Sequence, residues 1–401
     1  MGVYEDLGVR PVINAAGPLT RLSGMPLEPE VAAAMAEAAQ RCVPVEDLQE
    51  AAGRYLAEVT GAEAGYVTTG AAAGLALGAA ACIAGLDVAK MDRLPDTTGL
   101  RNEIIVQRAH LTAYTHALRL SGARLVEVGY MGYPGQGITW PWQIEAAIGP
   151  QTAAIAFSHG IAAGSIPLEE VVAIGRRHDL PVIVDAAGGV PPIENLRRFI
   201  ASGASLVAFS GGKAIGGPQA SGILVGRADL IASVALQHQD MDVYPATWAW
   251  RDRYLASGIL PGPPHHGLGR PMKVGKEEIV GLVVALRRFL ARDHAAEWRE
   301  QAARLTSVVE SLAGLPGVRA TLLDDPQATR PYPQAAIYLD EALLGRSAED
   351  IVNELLAGEP RVAVSQNLLH DRALALIATA LREEEEVALA LRLRAVLGTG
   401  R

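Results

Sequence analysis

A lysine follows an apolar segment inside a glycine-rich loop, a setting that suggests covalent chemistry. Residues 203–227 read GASLVAFSGGKAIGGPQASGILVGR, so the run SLVAF leads to Ser210 and, three residues later, to Lys213. A lysine removed from water loses its proton more readily, and its amine can then form a Schiff base with an aldehyde. Ser210 could bind a phosphate beside that aldehyde. The alternative is a solvated lysine in a glycine-rich turn.

Two other polar residues also come directly after predicted strands. The run PVIV leads into Asp185, and a strand predicted over Ala153 to Phe157 leads through Ser158 to His159. Ligands of parallel sheets bind at the carboxyl ends of the strands. We therefore expect Asp185, His159 and Lys213 to lie along one edge of a sheet. The alternatives are a helix N-cap for Asp185 and an ordinary hydrogen-bonded core residue for His159.

A short turn between a strand and a helix forms a second candidate site. Tyr66 to Thr68 is predicted as a strand, Thr69, Gly70 and Ala71 as a turn, and Ala72 to Ala84 as a helix of small residues. Unpaired N–H groups and the helix dipole attract a phosphate to such a helix start. The phosphate-binding pattern GxxxxGK[ST] and the dinucleotide pattern GxGxxG are both absent from this stretch. Close packing of an Ala/Gly helix on a sheet explains the same residues and is compatible with phosphate binding.

Strands and helices alternate through the middle of the chain, which indicates an α/β fold. This alternation predicts a mostly parallel sheet covered on both faces, within a large domain of residues 61–262. Residues 1–60 are predicted as an extended arm followed by two helices. Residues 263–401 are predicted as a smaller C-terminal α+β domain, because aromatic and loop-like segments interrupt the alternation near the boundary. A helix is expected from His110 to Ser121.

Composition excludes several classes of protein. The 401 residues are 50% hydrophobic and 20% charged, which is typical of a soluble globular protein. The formal net charge of −9 argues against a nucleic-acid binder. Two cysteines, Cys42 and Cys82, are too few for a disulfide framework, and we expect both to be buried thiols in a reducing compartment. No signal peptide or membrane span is apparent. A cytoplasmic location is therefore expected.

The candidate residues together match the protein's share of a pyridoxal 5′-phosphate site. Lys213 would hold the aldehyde, and Asp185 would keep the ring nitrogen protonated so that the ring accepts electrons. His110, just after a strand, could stack on the ring, and His159 could approach the ring hydroxyl. A satisfied polar role explains either histidine equally well. No HExxH, CxxC or paired metal motif occurs, so no metal is predicted.

The motifs resemble those of fold-type I pyridoxal-phosphate enzymes. VIVDAAGGVPP and LVAFSGGKAIGGPQASGILVGR carry the likeness, together with VINAAGPLTRLSG, YVTTGAAAGLALG and GRPMKVGKEEIVGLV. More narrowly, the chain resembles the selenocysteine synthase-like group that includes D-glucosaminate-6-phosphate ammonia lyase, from about residue 10 to its end. The resemblance implies a seven-stranded sheet. It also assigns the Schiff-base lysine, the pyridinium partner and the phosphate contacts to Lys213, to Asp185, and to Thr69, Gly70, Ala71 and Ser210.

The resemblance also implies a homodimer or larger homo-oligomer with sites at the subunit interface. In that arrangement the segment GRPMKVGKE, with Arg270 and Lys273, is a candidate to reach a neighbouring site, and Arg270 is expected to bind the cofactor. True selenium transferases carry an additional N-terminal region for their tRNA. Here a short arm precedes INAAGPLTRLSG and the net charge is negative. We therefore do not expect seryl-tRNA, another nucleic acid or a membrane as a partner.

The substrate is expected to be an amino acid bound through its anionic groups. Arginine suits a carboxylate or a phosphate, and Arg21, Arg270 and Arg361 are the candidates, with Asn14 in the N-terminal arm as a further polar contact. A surface or structural role explains each arginine at least as well. The predicted reaction is loss of water and ammonia from a small β-hydroxy or sugar-derived amino acid, giving a 2-keto acid. A racemase and an aldolase use the same groups, so both stay open.

Overall fold

A computed structural model describes residues 2–131, 137–160, 163–239, 243–323 and 332–398. Its helices are α1 Val3–Asp6, α2 Pro29–Ala39, α3 Val45–Thr60, α4 Gly70–Ala84, α5 Val88–Arg93, α6 His116–Arg119, α7 Pro141–Ala147, α8 Leu168–Arg177, α9 Asn195–Ala201, α10 Ala228–His238, α11 Lys276–Ala291, α12 His294–Ser311, α13 Glu341–Leu344, α14 Ala348–Ala357 and α15 Glu386–Leu397. Its strands are β1 Ile13–Ala15, β2 Ala64–Thr68, β3 Glu103–Gln107, β4 Arg124–Val128, β5 Tyr130–Met131, β6 Gly137–Ile138, β7 Thr152–Ser158, β8 Val182–Asp185, β9 Leu206–Ser210, β10 Gly222–Gly226, β11 Val318–Leu323, β12 Gln334–Leu339, β13 Val362–Val364 and β14 Ala373–Leu376.

The central sheet has seven strands in the order β2-β10-β9-β8-β7-β3-β4. Its strands run parallel except β10, which is antiparallel to both of its neighbours. The inner strands are rich in β-branched and other apolar residues because both of their faces are covered. The predicted mostly parallel α/β sheet is confirmed.

Helix α4 packs on the sheet through small residues. Twelve of its fifteen residues are buried, and most of these are alanine or glycine. A side chain added at Gly74 would come within 3.3–3.7 Å of Thr68, Ala208 and Leu224, which lie on three different strands. The small residues therefore let the helix approach the sheet closely, with its first turn at the end of β2.

The chain forms two compact units whose limits differ from the predicted domains. One unit comprises residues 27–287, and the other comprises residues 1–26 with residues 288–401. Residues 27–60 were predicted to stand apart from the large domain, but α3 packs on β2, where a side chain at Gly53 would lie 2.2 Å from the carbonyl oxygen of Gly65. Residues 263–287 also belong to the larger unit.

The N-terminal arm is part of the smaller unit rather than a free extension. Strand β1 pairs in parallel with β13, with Ile13 opposite Val362 and Ala15 opposite Val364. The smaller unit also contains the antiparallel sheet β11-β12-β14. The α+β character predicted for the C-terminal residues is present, and β1 adds an N-terminal strand that the sequence pattern did not show.

Two further predictions are corrected. The helix expected from His110 to Ser121 is mostly absent, since α6 covers only His116–Arg119 and two 3₁₀ turns precede it. The reason is local: Thr112 and Thr115 form a capping box, which starts a new turn after an extended Leu111. Cys42 was expected to be buried and is exposed.

No helix among the described residues is long and apolar enough to cross a membrane.

Candidate active site

The strand ends predicted to carry the chemistry lie side by side in the sheet. Ser158 at the end of β7 is opposite Asp185 at the end of β8, and Asp185 is opposite Ala208 on β9. Ser210, two residues further on, ends β9 and leads into the loop with Lys213. Because these strands are parallel, Asp185 and Lys213 both follow carboxyl ends on neighbouring strands. The structure thus brings together the two residues on which the sequence interpretation depends.

Burial shifts the pKa values of Lys213 and Asp185 in opposite directions. Desolvation lowers the pKa of the Lys213 amine, and the Asp185 carboxylate only partly offsets this. Desolvation raises the pKa of Asp185, while the N–H of Ala187 and the charge of Lys213 act against the rise. Lys213 is also half-buried, which argues against the solvated-lysine alternative. Both shifts favour the neutral form of the side chain. In each case the charge of the other residue opposes the effect of burial.

Asp185 is not a helix cap. Its Oδ1 accepts a hydrogen bond from the N–H of Ala187 at 3.1 Å, which is an Asx-type turn. The next helix, α9, begins ten residues later at Asn195. The turn leaves the other carboxylate oxygen available for a ligand group, in addition to lone pairs on Oδ1.

The backbone leaves room around the lysine amine. A Cβ built on Gly188 would lie 3.8 Å from Lys213 Nζ, so the amine reaches over the segment that follows Asp185. A small cavity beside Asp185 is lined by Ser158 and Thr115 and by apolar side chains. An amine that can bind an aldehyde and a partly buried carboxylate that can bind a ring nitrogen are what an aldehyde-bearing pyridine ring requires. The residues present therefore fit pyridoxal phosphate.

The predicted phosphate turn is built by close backbone packing. Gly70 has a φ of +81°, and a side chain there would meet nothing within 4 Å, so the space in front of this turn is open. Behind it, a Cβ on Gly222 would come within 2.4–2.7 Å of the Gly70 and Ala71 backbone. Gly222 is opposite both Thr68 and Ser210 in register. The Thr69–Ala71 turn and Ser210 thus lie at the same edge of the sheet, two strands apart.

The two histidines have defined protein partners. His110 is fully buried; its Nδ1 accepts the N–H of Ser158 at 3.2 Å, and its ring lies edge-on to Phe157. His110 thus offers no exposed ring face on which a cofactor could stack. His159 donates its backbone N–H to the carbonyl of Asp185 at 2.8 Å, and its ring lies edge-on to Phe199. Burial lowers the pKa of His159, and the charge of Arg198 lowers it further.

Arg270 lies in a loop that is hydrogen-bonded to α10. The backbone carbonyl of Met272 accepts a hydrogen bond from Nε2 of His238, whose Nδ1 in turn accepts from the hydroxyl of Tyr66. The sequence analysis did not identify the contact between Tyr66 and His238. The glycine-rich motif GLGRPM belongs to the loop that they hold, but nothing in this motif points to a distant tyrosine or histidine. Arg270 is half-buried and Lys273 is exposed.

The other proposed substrate residues belong to the smaller unit. Asn14 is buried, and its side chain bonds the backbone of Ala16 and Gly17, closing a local turn. Arg361 donates from Nε to the carbonyl of Leu356 at 3.0 Å, near the end of α14. Arg21 is exposed in a 3₁₀ turn. These hydrogen bonds give Asn14 and Arg361 structural roles. The exposed Arg21 stays a candidate for binding the substrate.

Two other features of the described chain bear on alternative sites. No group of three or more His, Cys, Asp or Glu side chains in the described ranges could hold a metal ion. A cavity of about 440 Å³ lies along the edge of β2, between α3 and α10, and neither Lys213 nor Asp185 lines it. The chemistry and this cavity are thus separate features of the larger unit.

Comparison with known proteins shows which proteins this chain is similar to. Residues 12–241 match the family model described as "SelA: L-seryl-tRNA selenium transferase". The chain is 36% identical to a 5′-C-glycyluridine monooxygenase-decarboxylase of a Streptomyces species, over 98% of this chain and 92% of that protein. It is 33% identical to D-glucosaminate-6-phosphate ammonia lyase of Salmonella typhimurium, over 98% and 97%. A solved structure of a D-glucosaminate-6-phosphate ammonia lyase superposes with a TM-score of 0.82 at 32% identity, covering 100% of this chain and 99% of that one.

These likenesses confirm three predictions: the fold-type I architecture, the resemblance to the selenocysteine synthase-like group, and pyridoxal 5′-phosphate as the cofactor. They also confirm that the chain is an enzyme of the pyridoxal-phosphate lyase type.

Proposed function

We propose that this chain, which belongs to the L-seryl-tRNA selenium transferase (SelA) family, is a lyase. Its reaction would remove water and ammonia from a small β-hydroxy or sugar-derived amino acid to give a 2-keto acid. The observation that carries the proposal is the pairing of Lys213 with Asp185 at neighbouring strand ends, both with pKa values shifted by burial. The 33% identity to a sugar-acid ammonia lyase along almost the whole chain supports the substrate class.

Bound pyridoxal phosphate supplies the electron-accepting ring that lyase chemistry needs. Lys213 would hold the cofactor, and its amine would also be the base that takes the α-proton of the substrate. Its lowered pKa suits both tasks, because a neutral amine is required for each. Asp185 binds the ring nitrogen and keeps its proton in place. Thr69, Gly70, Ala71 and Ser210 bind the phosphate through their N–H and O–H groups.

The overall reaction is balanced without an external oxidant. The α-proton and the β-hydroxyl leave together as water, and a water molecule is taken up again when the nitrogen leaves as ammonia. The net change is therefore loss of ammonia, and the product is a 2-keto acid whose β-carbon carries hydrogen in place of the hydroxyl group. Racemisation and aldol cleavage would use the same base and differ in where the proton or the carbon–carbon bond electrons go.

A second candidate is an oxygen-consuming decarboxylation. The observation that favours it is the 36% identity to a monooxygenase-decarboxylase over nearly the full length of both proteins. This reaction would release carbon dioxide and consume dioxygen, whereas the lyase reaction does neither. The two candidates therefore predict different products from the same lysine and aspartate.

One product screen distinguishes these candidates. Purified holoenzyme is incubated with D- and L-β-hydroxy amino acids, amino sugar acids and their 6-phosphates, and with a glycyl nucleoside. The lyase proposal expects ammonia and 2-keto acid in a one-to-one ratio, without oxygen uptake. Oxygen uptake with carbon dioxide release would support the decarboxylase instead. Change of optical rotation without ammonia, or aldehyde release, would identify a racemase or an aldolase. The Lys213→Ala variant is the blank.

The arginines proposed for substrate binding can be tested with the best substrate from that screen. Replacement of Arg21, Arg270 or Arg361 by alanine should lower kcat/KM where the side chain binds a substrate anion, by about 1.5–3 kcal/mol for one charge-assisted contact. The spectrum of the bound cofactor should stay unchanged for a residue that binds substrate alone. Wild-type kcat/KM in all three variants would place the anion-binding residues elsewhere. The homodimeric assembly and the cytoplasmic location also stay predictions.

A further inference from the structure

The loop of residues 267–273 is held against the end of α10 by hydrogen bonds and by close backbone packing. The N–H of Gly269 donates to the carbonyl of Gln237 at 2.9 Å. A Cβ on Gly267 would lie 2.2 Å from that carbonyl oxygen, and one on Gly269 would lie 2.8 Å from the Cα of His238. Only glycine permits backbones to approach this closely. The close packing of this loop on α10 therefore requires glycine at positions 267 and 269.

His238 adds a side-chain relay to this docking. Its Nε2 lies 2.7 Å from the carbonyl oxygen of Met272, which can only accept, so Nε2 carries the proton. Its Nδ1 is then the acceptor for the Tyr66 hydroxyl at 2.8 Å. The relay joins β2, α10 and the loop in a single tautomer. His238 is 9% exposed and Tyr66 3% exposed, so the hydrogen bonds are shielded from water.

Arg270 lies between the two points at which the loop is held. Its N–H donates to the carbonyl of Gly267 at 3.1 Å, and the N–H of Met272 donates to the carbonyl of Gly269 at 2.8 Å. Burial lowers the pKa of His238, and the nearby charge of Arg270 lowers it as well, although the Met272 carbonyl opposes these effects. Arg270 and His238 are therefore close, and two consecutive turns fix the backbone from which the guanidinium extends.

We infer that His238, through Tyr66 and the Met272 carbonyl, is a positioning residue that fixes the Arg270 guanidinium for binding the phosphate of the cofactor. The inference rests on the proposal that Arg270 is a cofactor ligand, in its own or in a neighbouring subunit. His238 itself touches neither cofactor nor substrate in this arrangement. Its effect must therefore pass entirely through Arg270.

The experiment compares two ligands that differ only in the phosphate. Dissociation constants for pyridoxal 5′-phosphate and pyridoxal are measured with apoenzyme by absorbance or fluorescence, which requires no turnover. Arg270→Ala should reduce the preference for the phosphorylated ligand by about tenfold or more, the scale of one charge-assisted hydrogen bond. His238→Phe should reduce the same preference in part. His238→Gln should retain more of it, because an amide supplies one donor and one acceptor like the neutral imidazole.

Tyr66→Phe is the milder variant, since it removes only the hydroxyl and preserves the ring; it should lower the preference in the same direction as His238→Phe. The decisive variant is the double replacement of Arg270 by Ala and His238 by Phe. If His238 acts only through Arg270, the double variant should match Arg270→Ala alone, because residues that act as a unit are not additive.

A purely structural role for His238 would weaken both ligands equally and leave their ratio unchanged, which would overturn the inference. An additional loss of phosphate preference in the double variant would also overturn it. So would an unchanged ratio in Arg270→Ala, since Arg270 would then not bind the phosphate. Failure of the lyase proposal is recognised separately, by wild-type enzyme that shows the expected binding ratios but forms no ammonia or 2-keto acid.

Discussion

Lys213 and Asp185 show how burial prepares side chains for chemistry. A lysine in water is charged at neutral pH and cannot attack an aldehyde. Desolvation lowers the pKa of Lys213, while the neighbouring Asp185 limits how far it falls. The same desolvation raises the pKa of Asp185. A ligand whose ring nitrogen carries a proton would place a second positive charge beside the buried Asp185 carboxylate, in addition to that of Lys213.

Lys213→Ala should abolish covalent attachment of the cofactor. In the wild type, borohydride reduction followed by peptide mapping should place the pyridoxyl group on Lys213. The variant should retain the fold by circular dichroism and yield no labelled peptide. Lys90→Ala, at a half-buried lysine in α5 that pairs with Asp87, is the control and should label as wild type. A label on another lysine in the wild type would contradict the assignment.

Asp185→Asn should have two separate effects. Turnover should fall on the order of 10²-fold or more, the scale of losing a well-placed electrostatic partner. The pH at which apoenzyme becomes competent to bind the cofactor covalently should move downward, because the Asp185 carboxylate is what raises the pKa of Lys213. Absorbance titration at a series of pH values measures the second effect. An upward shift would show that Asp185 does not act on the Lys213 charge in this way.

His110 shows the limit of residue-level prediction. Its position after β3 suggested stacking on the cofactor ring, but its Nδ1 is hydrogen-bonded to Ser158 and its side chain is fully buried. Position after a strand is a local property that sequence displays. The direction of a side chain depends on neighbours such as Phe157, which come from a different strand. A catalytic role for His110 thus stays a prediction that this geometry does not favour.

At the scale of elements, the start of α4 is where we propose that the phosphate binds. Thr69 is the N-cap residue, and the first turn from Gly70 opens toward free space. Thr69→Asp and Thr69→Asn form a matched pair, since both residues are good helix caps and only one is charged. Thr69→Asp should weaken pyridoxal phosphate binding much more than Thr69→Asn, because its carboxylate repels the phosphate.

Titration of both variants with pyridoxal, which has no phosphate, is the control for this pair and should show little difference between them. If pyridoxal phosphate binds both variants equally well, the phosphate does not bind at the start of α4.

Gln49 stabilises the edge of the central sheet. From α3, its Nε2 donates to the carbonyl of Val67 at 2.9 Å, and its Oε1 accepts the N–H of Val67 at 3.0 Å. The amide thereby takes the place of a neighbouring strand at the edge of β2. Gln49→Ala leaves two buried backbone groups unpaired and should lower the free energy of unfolding by about 2–4 kcal/mol.

Chemical denaturation measures the effect of Gln49→Ala, and the exposed Gln40→Ala, which should change stability by less than about 0.5 kcal/mol, is the control. Equal stabilities of the two variants would show that water replaces the Gln49 amide at no cost.

At the scale of the whole molecule, the proposed assembly makes a prediction about mixed oligomers. If Arg270 completes the site of a neighbouring subunit, Lys213→Ala and Arg270→Ala damage different parts of a shared site. Refolding the two variants together should then restore activity, because a mixed dimer contains one intact site. Random pairing predicts about a quarter of the wild-type activity. Activity no higher than the sum of the separate variants would indicate that Arg270 serves its own subunit.

The sequence by itself was enough to predict the candidate cofactor site at the ends of β8 and β9 and the start of α4. These features are local: an apolar strand followed by Asp185 or by Ser210 and Lys213, and a glycine-containing turn before a helix of small residues. Alternation of strands and helices likewise indicated the parallel sheet. The strand in residues 13–15, in contrast, exists only because β13 offers it a partner.

Only the tertiary structure decided the arrangement of groups that are distant in sequence. The amide of Gln49 on Val67, the relay from Tyr66 through His238 to Met272, and the burial of His110 each depend on packing between separate elements. The physical reason is that a polar side chain removed from water must find its partner wherever the folded chain provides one. No spacing along the sequence records that partner, so these residues became visible only in the fold.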